Sequence, residues 1–244
     1  MVDRLFSDAG LAALYDALCA GRDDFDFYLP LVMSAESVLD VACGTGELLH
    51  RARAAGHTGH LCGLDPADGM LAQARRRTDV EWIHGDLSAL GPDRRFDLVV
   101  MTGNAFQVFV EDEELRASLA AVRAALAEDG RFAFETRHPR ARAWERWTPE
   151  HAVEIVGPAG ERVRVAHQAE TPVTGDVVRF TTTFTSPAWE EPQLSTSTLR
   201  FLGPEALSSF LAGAGLAVEE QYGDWLRRPL TDSSPDIITL ARRA

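Results

Sequence analysis

The sequence predicts an α/β protein with a doubly wound parallel sheet and an antiparallel β insertion near its carboxyl-terminal end. Three observations support this fold class. Short apolar runs alternate with helical patterns along residues 37–135, as in parallel strands joined by helices. Residues 140–200 then form strand-length runs separated by Pro/Gly turns, a pattern typical of antiparallel hairpins. After residue 203 a helical pattern and two further strands complete the chain.

Composition limits the classes of function. The 244 residues can bury one full core, and the net charge of −13 argues against binding to a nucleic-acid backbone. No stretch reaches a membrane-spanning length, and the amino terminus lacks the apolar core of a signal peptide. We therefore expect a cytoplasmic protein. The three cysteines lack metal-ligand spacing, so no metal site is expected.

The stretch 37–49 organises the rest of the chain. It combines an apolar strand, two glycines at Gly44 and Gly46, and the start of a helix. A strand, a glycine turn and a helix amino terminus together form a nucleotide-binding site. A dinucleotide fingerprint would place a third glycine at position 49, where this chain has Leu49. Asp40 adds a carboxylate that repels a pyrophosphate and suits a cationic ligand.

The segment Leu39-Asp40-Val41-Ala42-Cys43-Gly44-Thr45-Gly46 resembles motif I of the class I S-adenosylmethionine-dependent methyltransferases. The resemblance implies a Rossmann-like sheet of seven strands, six parallel and the last antiparallel. It also implies S-adenosyl-L-methionine as the cofactor and S-adenosyl-L-homocysteine as the product. On this basis the expected cofactor-binding residues are Tyr15, Asp40, Ala42, Gly44, Gly46, Asp65, Pro66, Met70, Gly85, Asp86, Leu87, Met101 and Thr102.

Several of these assignments have alternatives. Asp65 follows the second strand at a spacing suited to ribose hydroxyls, although it could equally cap the next helix. Met70 is placed to pack on the adenine, but a methionine at helical spacing is more often part of a core. In the family, the Gly85-Asp86 pair contacts the adenine, whereas a Gly-Asp pair by itself is an ordinary turn.

Candidates for catalysis and substrate binding follow strands four and five. The catalytic candidates are His138, Gln107 and Arg137; His138 has the best position for a general base, and Arg137 could bind a substrate acid or form a structural ion pair. The substrate candidates are Tyr28, Asn104, Phe106, Trp144 and Trp147. For the aromatic residues among these, packing between elements is an equally good explanation.

These expectations define a domain plan and a function. Residues 1–36 form lid helices, 37–139 and 201–244 form the cofactor-binding core, and 140–200 form an antiparallel cap over the substrate. The cap is similar to that of small-molecule enzymes such as the antibiotic-pathway sugar N-methyltransferases. We predict methyl transfer to an O or N nucleophile of a small molecule by a monomer or homodimer, without nucleic-acid or membrane partners. The alternative is a cofactor-binding protein of this fold with a non-methylating reaction or no catalysis.

Overall fold

A computed structural model describes residues 2–244, which form eight α-helices and eleven strands. The helices are α1 (Arg4–Ser7), α2 (Ala9–Ala12), α3 (Tyr15–Leu18), α4 (Asp24–Ser34), α5 (Glu47–Ala54), α6 (Asp68–Ala74), α7 (Asp112–Ala125) and α8 (Pro204–Gly213). The strands are β1 (Ser37–Val41), β2 (His60–Asp65), β3 (Glu81–His84), β4 (Phe96–Met101), β5 (Leu126–Arg137), β6 (Val153–Val156), β7 (Arg162–Ala169), β8 (Val177–Thr185), β9 (Gln193–Arg200), β10 (Leu216–Tyr222) and β11 (Asp236–Arg243).

Seven strands form one twisted sheet in the order β10-β11-β5-β4-β1-β2-β3. All neighbouring pairs are parallel except those of β11, which runs antiparallel between β5 and β10. Continuous apolar runs make β1 and β4 suitable for the sheet centre, because helices cover both faces there. The predicted fold class, with six parallel strands and one antiparallel strand, is confirmed.

Two local predictions were wrong. The helical pattern over residues 7–20 predicts one helix with Ser7 or Asp8 as its cap, but the structure has two short helices there, α2 and α3, separated by a turn at Ala13 and Leu14. Asp8 does cap α2, because its carboxylate accepts the amide N–H groups of Gly10 and Leu11. Strand five was expected to begin at Arg131, after Gly130. In the structure β5 begins at Leu126 and includes Gly130, where an added Cβ would lie 2.8 Å from the Phe96 carbonyl oxygen.

The insertion forms a separate antiparallel sheet of four strands in the order β6-β7-β8-β9, as expected. One face of this sheet packs on the amino-terminal helices. Val163, Val165 and Phe184 form a cluster with Leu11 and Leu14, among other apolar residues. The amino-terminal helices also contact α6 of the main sheet's helical layer. The first turns of the chain are therefore held between the insertion and the core.

Two larger apolar clusters cover the opposite faces of the main sheet. They fix the strand ends from which the loops of the candidate site emerge. None of the helices within residues 2–244 combines the length and the apolar character that a membrane crossing requires.

Candidate active site

A cavity lies where the loop after β1 meets the amino-terminal helices. Its volume is about 140 Å³. From the core it is lined by Asp40, Ala42, Gly44 and the residue after β4, Thr102. From the amino-terminal segment it is lined by Tyr15 and its neighbours. Met101, predicted beside Thr102, is buried and does not line the cavity.

The loop after β1 turns through left-handed backbone conformations. Gly44 has φ of 57° and Gly46 has φ of 75°, and Ala42 adopts 55° despite its side chain. Gly46 also has no room for a side chain, because an added Cβ would lie 2.4 Å from the Trp82 ring. The two glycines therefore permit both the turn and the close packing of β3 beneath it.

Asp40 is one of the charged residues that line this cavity. Its side chain is 1% exposed, and Oδ1 has no hydrogen-bond partner among the described residues. Burial raises the Asp40 pKa to about 8, although the nearby Arg22 guanidinium acts in the opposite direction. A buried, unpartnered carboxylate beside a cavity is stabilised by a cationic donor. The cationic ammonium and sulfonium groups of S-adenosylmethionine fit this requirement, whereas a dinucleotide pyrophosphate does not.

Asp65 is buried and is not among the residues that line the cavity. One carboxylate oxygen accepts the Gly44 amide at 2.8 Å, and the other accepts the Ala67 amide at 2.8 Å. Asp65 does not cap α6, because Ala67 is the N-cap residue and the helix has no side-chain cap; the Asp65 carboxylate instead holds the turn before α6 and the glycine turn. Binding of ribose by Asp65 stays a prediction that uses the remaining lone pairs of these oxygens.

The residues assigned to the adenine lie outside the cavity lining. Asp86 is exposed, and its Oδ1 accepts the N–H and hydroxyl of Ser88. Met70 and Leu87 are buried, Pro66 is exposed, and Gly85 joins the Asp65 carbonyl by its amide N–H. The structure thus places this group at the ends of β2 and β3, and their contacts with adenine remain predictions.

Sequence reasoning missed the amino-terminal residues that close the cavity. Asp16 accepts a hydrogen bond from the Thr45 hydroxyl at 2.6 Å, which joins α3 to the glycine turn. Arg22 donates to both oxygens of buried Asp24 and lies 4.3 Å from the Phe25 ring centroid. Periodicity could not identify these residues, because they become neighbours of the turn only after the segment folds over it.

The predicted substrate residue Tyr28 is completely buried, and its contact with a substrate stays a prediction. Its hydroxyl donates to Glu135 at 2.5 Å, and the Glu135 carboxylate also accepts the Asn104 amide N–H at 2.6 Å. Burial raises the Glu135 pKa to about 7. Asn104 has a left-handed backbone, and its buried side-chain oxygen has no partner in the described structure. Among Tyr28, Glu135 and Asn104, it is Asn104 that has a side-chain oxygen free to accept a hydrogen bond from a ligand.

Gln107 and Phe106 are also enclosed. The Gln107 amide donates to the Arg200 carbonyl at 3.0 Å and accepts from Arg137 Nη1 at 2.9 Å, so it joins the core to the insertion. Phe106 stacks on Phe134 with a centroid distance of 4.2 Å in the core. Neither presents a side chain to the cavity, and a direct role of Gln107 in catalysis or of Phe106 in substrate binding stays a prediction.

His138 is 2% exposed, and its Nδ1 accepts the Arg140 amide N–H at 3.1 Å. Burial lowers the His138 pKa, so a neutral ring caps the turn that follows. Its catalytic role remains a prediction. Trp144 and Trp147 are half-buried and pack on Phe201 and Phe180, respectively, with centroid distances of 4.7 and 4.6 Å.

Comparisons with known proteins agree with this geometry. Residues 38–130 match the family model described as "Methyltransferase domain". A dTDP-3-amino-3,6-dideoxy-alpha-D-glucopyranose N,N-dimethyltransferase of Streptomyces fradiae is 38% identical over 97 residues, 39% of this chain and 37% of that protein. The chain matches less than half the length of the curated relatives that resemble it.

Solved structures show the same fold over nearly the whole chain. An S-adenosylmethionine-dependent methyltransferase from Clostridium acetobutylicum superposes with a TM-score of 0.75 at 18% identity, covering 96% of this chain and 97% of that one. CalS10, an amino pentose methyltransferase from Micromonospora echinaspora, superposes with a TM-score of 0.69 at 24% identity, covering 95% and 97%. Residues 38–130 therefore resemble a methyltransferase domain, and the whole chain shares its fold with these two solved structures.

Proposed function

We propose that the chain transfers a methyl group from S-adenosylmethionine to a nitrogen or oxygen atom of a small molecule, with an amino-sugar nitrogen as the first candidate. The observation that carries the proposal is the buried, unpartnered Asp40 carboxylate beside a cavity enclosed by the glycine turn and α3. Bound there, S-adenosylmethionine supplies an electrophilic methyl group on a positively charged sulfur atom. The amino-sugar candidate rests on the named activities of relatives.

The chain's own residues supply binding and orientation. Asp40 offers the negative charge, and the Gly44–Gly46 turn allows a close backbone approach. The Thr45–Asp16 hydrogen bond closes the amino-terminal segment over the turn and reduces access of water. Positioning of the acceptor nitrogen in line with the methyl group accounts for most of the rate enhancement in such a site. The half-buried aromatic group around Trp147 offers a surface for that acceptor.

The experiment is incubation of the protein with S-adenosylmethionine and a dTDP-activated 3-amino-3,6-dideoxyglucose, followed by intact-mass measurement of the sugar nucleotide. We expect a gain of one or two methyl groups. The matched control is the sugar nucleotide with a hydroxyl in place of the amine, which separates nitrogen from oxygen transfer. If a panel of amine and hydroxyl acceptors gains no mass while S-adenosylmethionine binds, the non-methylating alternative is correct.

A further inference from the structure

Arg137, at the carboxyl end of β5, is an enclosed guanidinium without a carboxylate partner. Burial lowers its pKa, which indicates that the positive charge is poorly solvated. No carboxylate within residues 2–244 lies within 4.0 Å of it; its one side-chain hydrogen bond runs from Nη1 to the neutral Gln107 oxygen at 2.9 Å. By contrast, enclosed Arg22 pairs with Asp24, and enclosed Arg200 pairs with Asp112 and Asp176.

The groups around Arg137 do not neutralise it by direct contact. Asp236 lies opposite Arg137 in the β5–β11 pairing, but its carboxylate is more than 4.0 Å away. The Glu135 carboxylate is occupied by the Tyr28 hydroxyl and the Asn104 amide N–H, and its pKa is raised to about 7.

Apart from Asp236, whose charge acts on Arg137 without direct contact, the nearby side chains on the other elements are neutral at neutral pH. Burial raises the pKa of Tyr15 and of Cys19 on and next to α3. Burial and the charge of Arg137 lower the pKa of His167 on β7, so its ring is neutral. A buried charge without a paired charge is costly. An anionic ligand in direct contact with the guanidinium would stabilise it more than Asp236 does from a distance.

The geometry also provides a binding surface beside the guanidinium. Arg137 lies 5.5 Å above the Trp147 ring, and Trp147 contacts Phe180 and Phe201 of the insertion side. The aromatic ring holds the guanidinium plane in place, and Gln107 occupies one of its five N–H donors. The remaining donors have the fork geometry that matches a carboxylate or a phosphate.

We propose that Arg137 and Trp147 form an anion subsite that binds an oxyacid group, a phosphate or a carboxylate, of the acceptor substrate. This rests on the proposed function only in naming the acceptor as the source of the anion. The subsite stands at the junction of β5 and the insertion, and it is close enough to Tyr15, which lines the cavity with Asp40, for the Arg137 charge to act on the tyrosine. An acceptor with separate amine and anionic groups, such as a sugar nucleotide, satisfies this arrangement.

The test uses the protein saturated with S-adenosylhomocysteine and measures tryptophan fluorescence during titration with inorganic pyrophosphate, with malonate as the carboxylate arm and sodium chloride at matched ionic strength. We expect saturable quenching by one or both anions. Arg137→Gln and Gln107→Glu should each weaken anion binding about 10-fold or more, the latter because it places a carboxylate against the guanidinium. Arg140→Gln, which removes an exposed arginine paired with Asp232, should change nothing.

Two results would overturn the subsite. The first is quenching that sodium chloride reproduces, or that persists unchanged in both Arg137→Gln and Gln107→Glu. The second is an Arg137→Gln variant that loses affinity for S-adenosylhomocysteine but keeps its affinity for 5′-methylthioadenosine. Because 5′-methylthioadenosine lacks the amino-acid group, this result would show that Arg137 binds the carboxylate of the cofactor. Gln107→Glu keeps the arginine, so the test survives if Arg137→Gln does not fold. Saturable anion binding without methyl transfer to any of the amine and hydroxyl acceptors would refute the proposed function and leave the subsite in place.

Discussion

Asp40→Asn should have opposite effects on the stability of the free protein and on cofactor affinity. In the free protein, burial raises the Asp40 pKa from 3.8 to about 8. The folded state then binds a proton that the unfolded state releases between these pH values. The contribution of Asp40 to stability is therefore largest at low pH and falls as pH rises from about 4 to about 8, by up to about 1.4 kcal/mol per pH unit. The amide that replaces the carboxyl group carries no titratable proton, so the variant lacks this loss.

Glu135 contributes in the same direction over a narrower window, because burial raises its pKa from 4.5 to about 7. Between about pH 4.5 and 7 the native protein should thus lose stability through two groups, and Asp40→Asn through one. For a chain of this size each 1 kcal/mol corresponds to about 2–4 °C in melting temperature. We expect the free variant to melt higher than the native protein at pH 8, and by a smaller margin at pH 5.

Cofactor binding should respond in the other direction. A cationic ligand stabilises the ionised carboxylate, and its removal eliminates a charge-assisted contact worth about 1.5–3 kcal/mol, or about 10- to 150-fold in affinity. The assays are thermal unfolding from pH 4 to 9 without ligand and calorimetric titration with S-adenosylmethionine at pH 8. A variant whose stability keeps the native pH slope, or whose affinity for the cofactor is unchanged, would refute the assignment of Asp40 as the cationic subsite.

Three further substitutions test the arrangement. Asp65→Ala removes the acceptor of two backbone amides and should destabilise the protein by about 2–4 kcal/mol in urea unfolding. The control, Asp68→Ala at an exposed position, should cost under about 1 kcal/mol. Equal effects of the two substitutions would show that the two amides find other acceptors. Ser195→Ala removes the acceptor of the Leu5 amide and should weaken S-adenosylhomocysteine binding about 5-fold in calorimetric titration. The control is Thr196→Ala at the exposed neighbouring position. Unchanged affinity in Ser195→Ala would mean that the amino-terminal segment closes without the insertion. Trp147→Ala should lower turnover of an identified acceptor while S-adenosylhomocysteine affinity stays within a few-fold; a parallel loss of both would place Trp147 in the cofactor site.

The β-sheet was predictable because its signals are local. The buried run of β4, for example, has the limits expected from its sequence, Phe96–Met101, since a central parallel strand is apolar on both faces. The pattern of alternating polarity likewise predicted the four strands of the insertion. Each of these signals depends on residues that are neighbours in the chain.

The roles of loop residues were less predictable. Gln107 and Phe106 follow a strand whose end borders the site, but sequence alone does not show which way a loop side chain points. In the structure Phe106 stacks in the core and Gln107 joins β5 to the end of β9. Tyr28 was similarly ambiguous, because its partner Glu135 lies 107 residues away.

The relation between the insertion and the amino-terminal helices also depends on distant contacts. In the domain plan predicted from the sequence, the insertion covers the substrate and the amino-terminal helices cover the cofactor. In the structure the two are packed together through one apolar cluster and a hydrogen bond from the Leu5 amide to Ser195. We therefore expect substrate and cofactor binding to affect each other, since either ligand orders a segment that contacts both.

Calorimetric titration of the native protein with S-adenosylhomocysteine, S-adenosylmethionine and NAD is the most direct test of the cofactor assignment. The Asp40 carboxylate, the Gly44–Gly46 turn and the closure by Asp16 predict saturable binding of both adenosyl ligands. They also predict no measurable binding of NAD, because its pyrophosphate would face the Asp40 charge. Tight binding of NAD with no heat from either adenosyl ligand would contradict the account.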